Sequence, residues 1–284
     1  MSIIQLNQIY YYDNLKNDAY KLAQAYPALI QTSVIGVSHD GRDILLLKVG
    51  VGNKNVILTA GVHGRESINP IVLMKMMEYY CEENFNHLKD YTFYVVPLLN
   101  PDGYMIAQRG FNVIRNEELR LAAKEKDIPY REWKLNARGI DINRNFPSFS
   151  WRPKHANDFP GSENETKALM QLIDSISSIG YIDYHSRGEE IYYYRDRMSK
   201  AYNQRQKEIA DRLADDTGYT LVPPEEEISA SDTGGNTVHY YSEQTKQPAF
   251  TIETVPDEAT FPLSIVYQAQ AFHEVLYSPL IMLF

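Results

Sequence analysis

Two hydrophobic patterns alternate along the chain. Short apolar runs without clean alternation, such as 55-NVILTAGV-62 and 91-YTFYVVPLL-99, are interleaved with segments whose apolar residues return at helical spacing. The runs predict strands covered on both faces, because a strand with one solvated face places a polar residue at every second position. Near the start, Leu15, Tyr20, Leu22 and Ala23 predict a helix over 13–25 that 26-YP-27 ends. Next, 33-SVIGVS-38 and 43-DILLLKVG-50 flank 39-HDGR-42, whose Asp-Gly pair signals a turn. A hairpin is expected there, with His39 as a turn residue rather than a ligand.

After the run at 55–62 a helix is expected with Asn69 as N-cap and Pro70 in its first turn, where a missing N–H costs nothing. The run at 91–99 is followed by 100-NPDGY-104, read as a turn. In 162-SENETKALMQLIDSI-176, Ser162 and Glu165 have capping-box spacing ahead of Leu169, Leu172, Ile173 and Ile176 on one side of a helix. A strand at 179-IGYIDYHS-186, a polar helix near 203–216, a strand at 248-PAFTIET-254 and a helix at 264–277 complete the pattern. Strands interleaved with helices predict the α/β class: an α/β/α sandwich with a mixed, mostly parallel twisted sheet and helices on both faces. No linker, repeat or long run of like charge divides residues 1–284, so one catalytic-size domain is expected.

Composition narrows the partners. A formal net charge of −9 argues against nucleic acid and against acidic protein tails. No apolar run has the length that spans a bilayer, so no membrane partner is expected, and 1-MSIIQLNQIYYYDNLKND-18 lacks the basic-then-apolar order of a signal peptide. The expectation is a soluble, cytoplasmic protein. The single cysteine, Cys81, excludes an internal disulfide and a zinc site of several thiolates. At the end of 71-IVLMKMMEYYC-81 it reads as a partly buried thiol rather than a nucleophile. The 22 tyrosines, with runs at 10-YYY-12 and 192-YYY-194, read as strand and core packing.

Candidate chemistry begins at 61-GVHGRES-67, which places His63 and Glu66 where a covered strand stops and a helix is about to begin. Open α/β sheets bind ligands beyond the carboxyl ends of their strands. The spacing alone is weak: with 7 His and 37 Asp plus Glu it recurs at 87-HLKD-90, in a polar stretch read as a solvated loop. His185, however, ends a second predicted strand. A catalytic zinc takes three protein ligands and keeps one position open, and two His with one Glu is an established set. The competing reading of His185 is a satisfied core histidine beside Tyr184.

With these residues in place, the chain resembles the zinc metallocarboxypeptidase family. The metal motif His-x-x-Glu is similar to 63-HGRE-66, and the third-ligand segment to 185-HS-186. The Asn-Arg pair that holds a terminal carboxylate is similar to 143-NR-144 within 139-GIDINRNFP-147, and the general-base glutamate to Glu253 in 251-TIET-254. The turn 100-NPDGY-104 is shared as well, and the segments stand in the family's order over nearly the whole chain. The resemblance implies one Zn2+ on His63, Glu66 and His185, and hydrolysis of an amide by a water that the metal activates, with Glu253 as base. It also implies that Asn143 and Arg144 fix a substrate carboxylate, the guanidinium through two parallel bonds. For the developing oxyanion the family uses an arginine. Here 133-WKLNARG-139 offers Lys134, with Arg138 as the competing candidate, and a lysine cannot fork onto an oxygen as arginine does.

Departures from the pattern bear on the substrate. Digestive-type members carry a mobile tyrosine before a Gly-Gly pair. In 228-ISASDTGGNTVHYY-241 Ala230 stands near that place, and polar Asn236 and Thr237 follow 234-GG-235 as an expected pocket wall. The segments 133-WKLN-136, 68-INPIVLMKMMEYY-80, 160-PGSENETKAL-169 and 251-TIET-254 resemble the bacterial branch that cleaves γ-D-glutamyl-meso-diaminopimelate peptides. That likeness implies a small muropeptide such as L-alanyl-γ-D-glutamyl-meso-diaminopimelate, with the diamino acid released. The alternatives are a general carboxypeptidase of α-linked L-peptides and a metal- or peptide-binding module without catalysis. Glu253 speaks against the last, since binding alone needs no base.

Overall fold

The computed structural model describes residues 2–83, 86–230 and 234–283, with the side chains of 229 and 230 left out. Its elements in chain order begin with α1 (Tyr12–Ala25), β1 (Ile30–Val37), β2 (Asp43–Val49), β3 (Lys54–Ala60), α2 (Asn69–Glu82), α3 (His87–Asp90), β4 (Tyr91–Val96), α4 (Pro101–Arg109) and α5 (Glu117–Lys124). They continue with α6 (Asn164–Ser175), β5 (Ser178–Ser186), β6 (Glu190–Tyr192), α7 (Lys200–Thr217), β7 (Thr220–Leu221), α8 (Pro224–Ala230), α9 (Thr237–Thr245), β8 (Ala249–Thr254), α10 (Tyr267–Val275) and α11 (Ser278–Ile281).

The strands form one sheet in the order β1-β2-β4-β3-β5-β8-β6-β7. Its centre, β4-β3-β5-β8, is parallel, while β1, β2 and the β8–β6 pair run antiparallel. The apolar runs have no polar alternation because both faces are covered. Leu45, Leu47, Val56, Leu58 and Ala60 pack into one core with Leu15 and Leu22 of α1, Leu73 of α2, Leu213 of α7 and Phe272 of α10. Their neighbours Ile44, Leu46 and Ile57 pack into a second core with Leu169 and Leu172 of α6 and Tyr241 of α9. Each such buried side chain contributes about 1.5–3 kcal/mol relative to exposure. A third, smaller cluster of Ile106, Ile114, Ala123, Trp133 and Ala137 anchors the segment leading to the cleft.

The expected fold class is observed, and several local readings change. Asn69 opens α2 rather than capping it, since its side chain is spent across the sheet: Nδ2 donates to the His185 carbonyl at 2.5 Å and Oδ1 accepts from Thr254 at 2.9 Å. The segment 100-NPDGY-104 starts a helix instead of a simple turn, because the Asn100 side chain accepts from Gly103 N at 2.9 Å. Ser162 caps nothing: α6 starts at Asn164, and Ser162 Oγ donates to Glu163 at 2.7 Å. The stretch 87-HLKD-90 is a helical turn held by buried Leu88 rather than a solvated loop. Cys81 is buried, and desolvation pushes its thiol up to about 12, which removes it as a nucleophile.

Candidate metal centre and active-site cleft

The three central strands deliver the key residues to one end of the sheet. At the end of β3 the chain turns through Gly61, at φ 63°, where a Cβ would also meet Leu98 at 2.5 Å. Gly64 then lies flat against the first turn of α4 and the segment at Trp133–Lys134. Its N–H donates to the Lys134 carbonyl at 3.1 Å, and a Cβ there would stand 2.3 Å from the Gly103 carbonyl oxygen. This clamp sets the direction of His63 and Glu66. From the next strands, His185 of β5 and Glu253 of β8 are register partners in a parallel pair.

His63 Nδ1 lies 2.6 Å from Glu66 Oε1, His185 Nδ1 lies 3.0 Å from Glu66 Oε2, and the two Nδ1 atoms are 3.3 Å apart. Each ring turns its other nitrogen to a carboxylate: His63 Nε2 is 3.3 Å from Asp141 Oδ1, and His185 Nε2 is 3.0 Å from Asp183 Oδ2. A carboxylate on Nε2 favours the proton there and leaves the Nδ1 lone pair facing the cluster. One donor atom from each of His63, Glu66 and His185 lies within 4.8 Å of the others. Two nitrogens bound about 2.0 Å from a tetrahedral ion stand roughly 3.3 Å apart, so the donor set fits zinc in chemistry and in spacing.

The local field agrees. Burial alone would raise the Glu66 carboxyl, but the His63 and His185 charges beside it outweigh burial and hold it well below the usual carboxylate range. Burial alone would lower His185, but Asp183 and Glu66 outweigh it and hold that ring well above an ordinary histidine. Three carboxylates, Glu66, Asp141 and Asp183, around two rings favour positive charge at their common point, which a divalent cation supplies.

A cleft of about 520 Å³ opens over the cluster, lined among others by His63, Glu66, Lys134, Arg187 and Glu253. Burial, with a smaller push from Glu66 against the pull of His185, raises the Glu253 carboxyl to about 8. Lys134 Nζ is 2.6 Å from Asp141 Oδ2, and Asp141 Oδ1 also accepts from Asn143 N at 3.0 Å. Asp141 therefore joins the His63 ring, Lys134 and the Asn143–Arg144 turn. Asn143 Oδ1 accepts from Thr237 N at 3.1 Å, and Arg144 lines an adjoining cavity of about 300 Å³ together with Asp141.

His63, Glu66, Glu253 and Lys134 thus line the cleft, His185 is buried against Glu66 beneath it, and Asn143 and Arg144 adjoin it through Asp141. Arg138 is placed elsewhere, lining the adjoining cavity with Nη1 donating to Glu163 at 2.9 Å. The expected polar wall is turned inward: Asn236 caps α9, and Thr237 Oγ1 donates to Asp183 at 2.5 Å. The Ala230 side chain and residues 231–233, in the stretch where digestive-type members carry their tyrosine, lie outside the described residues. His39 does sit in the hairpin turn, with Nε2 3.1 Å from Glu163 and 3.9 Å from Glu165.

Asp141 and Asp183 were not singled out in the sequence. A signal existed for both. Asp183 stands two residues before His185, hence on the same face of β5, and Asp141 stands two residues before Asn143.

Comparison with known proteins bears on this architecture. The B. subtilis (strain 168) protein YqgT, itself uncharacterised, is 31% identical over 218 residues, or 68% of this chain and 57% of its own length. Gamma-D-glutamyl-L-diamino acid endopeptidase 1 of Lysinibacillus sphaericus is 24% identical over 288 residues, 92% of this chain and 69% of that protein. The chain therefore spans little more than half of the first relative. The bovine thrombin-activatable fibrinolysis inhibitor, solved with tick carboxypeptidase inhibitor, shares the fold at a TM-score of 0.80 and 21% identity, over 97% of this chain and 96% of that one. The family model for zinc carboxypeptidases matches residues 15–274, from the first helix to the last turn of α10. On that match, the chain belongs to the zinc carboxypeptidase family, whose members depend on zinc.

Proposed function

We propose that the protein is a zinc-dependent peptidase that removes a C-terminal residue, and that its substrates are γ-D-glutamyl-meso-diaminopimelate peptides, from which the diamino acid departs. The observation that carries the hydrolase reading is the pairing of His185 with Glu253 across β5 and β8. It sets a carboxyl beside the His63–Glu66–His185 donor cluster in one cleft. Binding a metal alone requires no such base.

His63, Glu66 and His185 would hold the zinc. When bound, the ion lowers the pKa of a water and polarises the scissile carbonyl. Glu253 takes the attacking water's proton and returns it to the leaving amine, so the products are a free carboxylate and a free amine. Lys134 supplies positive charge as the carbonyl oxygen becomes an oxyanion, and its ion pair with Asp141 keeps it at that wall. Asn143 and Arg144 hold the carboxylate of the departing residue. The muropeptide part of the reading is supported by the likeness to the Lysinibacillus γ-D-glutamyl-L-diamino acid endopeptidase. No helix among the described residues is long and apolar enough to cross a membrane.

The test is mass spectrometry of L-Ala-γ-D-Glu-meso-diaminopimelate incubated with zinc-loaded protein, beside an α-linked control peptide and a chelated sample. Release of diaminopimelate from the first peptide alone, abolished by chelation, is the expected result. Cleavage of the α-linked control alone would overturn the muropeptide assignment and make the protein a general carboxypeptidase.

A further inference from the structure

Three cations line the cleft over the donor cluster: Arg65, Lys134 and Arg187. Lys134 is engaged, with Nζ 2.6 Å from Asp141 Oδ2. The reaction described above uses neither of the others. Arg65 lies two residues after His63 in the metal-holding turn, and Arg187 two residues after His185, just past the end of β5. The backbone that fixes the two rings therefore also places these two side chains.

Both guanidiniums stand over one aromatic ring, with Cζ of Arg65 4.3 Å and Cζ of Arg187 6.0 Å from the centre of Phe261. A ring face holds a guanidinium by its plane and leaves the in-plane N–H groups to a carboxylate. Those groups are largely unengaged. The Nε of each arginine is buried without a partner among the described residues, and Arg65 has no hydrogen bond or ion pair to any of them. Arg187 engages Nη1 alone, 2.6 Å from Asp257 Oδ1, and the Asp257 side chain is 84% exposed. An ion pair in that much solvent is worth little, so a better-placed anion can displace it. Two positive side chains over one ring, with one exposed counter-ion, call for a further negative charge.

On the proposed reading, the carboxylate of the departing residue is taken outside this cleft, by Asn143 and Arg144 beyond Asp141, so the acyl half of the substrate lies within it. Arg65 also lines an adjoining groove of about 460 Å³, into which the acyl chain can continue. A γ-linked glutamyl residue uses its side-chain carboxyl for the scissile amide, which leaves its α-carboxylate free at the other end of the same short chain. We infer that Arg187, with Arg65 beside it, receives a carboxylate carried by the acyl-side residue, and that the protein thereby selects a glutamyl residue with a free acid over its amidated form. The inference rests on the γ-glutamyl reading for the identity of that acid. A carboxamide in the same place brings no charge and turns an N–H toward groups that are themselves donors, so a charge-assisted bond is lost.

The experiment measures kcat/KM of the zinc-loaded full chain on L-Ala-γ-D-Glu-meso-diaminopimelate and on the same peptide with the glutamyl α-carboxylate converted to the carboxamide. The free acid is expected to be preferred by about tenfold or more. Arg187→Gln should erase most of that ratio, Arg187→Lys, which keeps the charge, should retain more of it, and Arg65→Gln should lower it. Because each variant is judged on a ratio, a general loss of activity cancels. Equal cleavage of acid and amide, or an unchanged ratio in Arg187→Gln, overturns the inference and leaves Arg187 as a rim ion pair with Asp257. Cleavage of α-linked peptides alone refutes the γ-glutamyl reading, and α-linked L-Ala-L-Glu-L-Lys against L-Ala-L-Gln-L-Lys then decides on the arginines by the same ratio. If no peptide is cleaved, calorimetry decides: tighter binding of L-Ala-D-Glu than of L-Ala-D-isoglutamine supports the inference, and equal binding overturns it.

Discussion

Asp183 shows how much a single residue contributes to this centre. It is fully buried and accepts from Thr59 and Thr237 at 2.5 Å each while its Oδ2 faces His185 Nε2, so its charge fixes the ring that presents Nδ1 to the cluster. Asp183→Asn is expected to weaken zinc binding about 10–100-fold, measured by competition with a chelator. Wild-type affinity would show that His185 needs no such anchor. Glu253→Gln should keep its zinc and lose about 10²–10⁴-fold in kcat, and undiminished turnover would remove the base assignment. Arg144→Ala should cost about 2–5 kcal/mol in transition-state binding, read from kcat/KM. At this scale the sequence offered His63, Glu66 and His185 by residue type and their place near strand ends, while Glu253, Asn143, Arg144 and Lys134 came only with the resemblance to zinc carboxypeptidases. The two aspartates behind the histidines were less legible, since an aspartate's role depends on what faces it.

Among the elements, the turn after β3 carries the tightest requirement. The backbone at Gly64 touches helix α4 at Gly103 and the segment at Trp133, and no side chain fits between them. Gly64→Ala should destabilise the fold by about 1–3 kcal/mol and lower its zinc content, checked by thermal melting and metal analysis. A variant with full zinc and an unshifted Tm would mean that these neighbours yield freely. Strands β3 and β4 could be read from their nearly unbroken apolar runs, which only double coverage explains, while β5 and β8, which carry Asp183, Thr251 and Glu253, were read as short strand-like segments. Helix starts were read less well, and for a physical reason. Asn69 and Ser162 carry cap-forming groups, but tertiary partners on β5, β8 and Glu163 claimed those groups first.

For the whole molecule, metal and pH act on the same stability. Zinc binds the folded site and not the dispersed ligands, so a chelator should lower Tm, and added zinc should raise it by mass action. A second lever is Glu165, fully buried and pushed up to about 7 by desolvation. The unfolded chain releases this proton near 4.5, the folded chain only near 7, so between those values the folded state binds more protons and stability falls as pH rises. Glu165→Gln removes that loss. Relative to wild type, the variant should be more stable at pH 8 than at pH 5 by about 1–3 kcal/mol, seen as a larger Tm difference at the higher pH. An equal difference at both would show that Glu165 is ionised throughout.

What the sequence determined by itself was periodicity and residue type: a sheet covered on both faces, and two histidines and a glutamate, His63, His185 and Glu66, beside strand ends. These are short-range properties, set by which side chains prefer water and which can bind a metal or a proton. The tertiary structure decided which groups meet. It brought Asp141 and Asp183 behind the rings, sent Arg138 to Glu163 and turned Thr237 toward Asp183. Such pairings join residues far apart in the chain, 122 positions for His63 and His185 and 185 for Asn69 and Thr254. They follow from sheet order and register, which no local window of sequence contains.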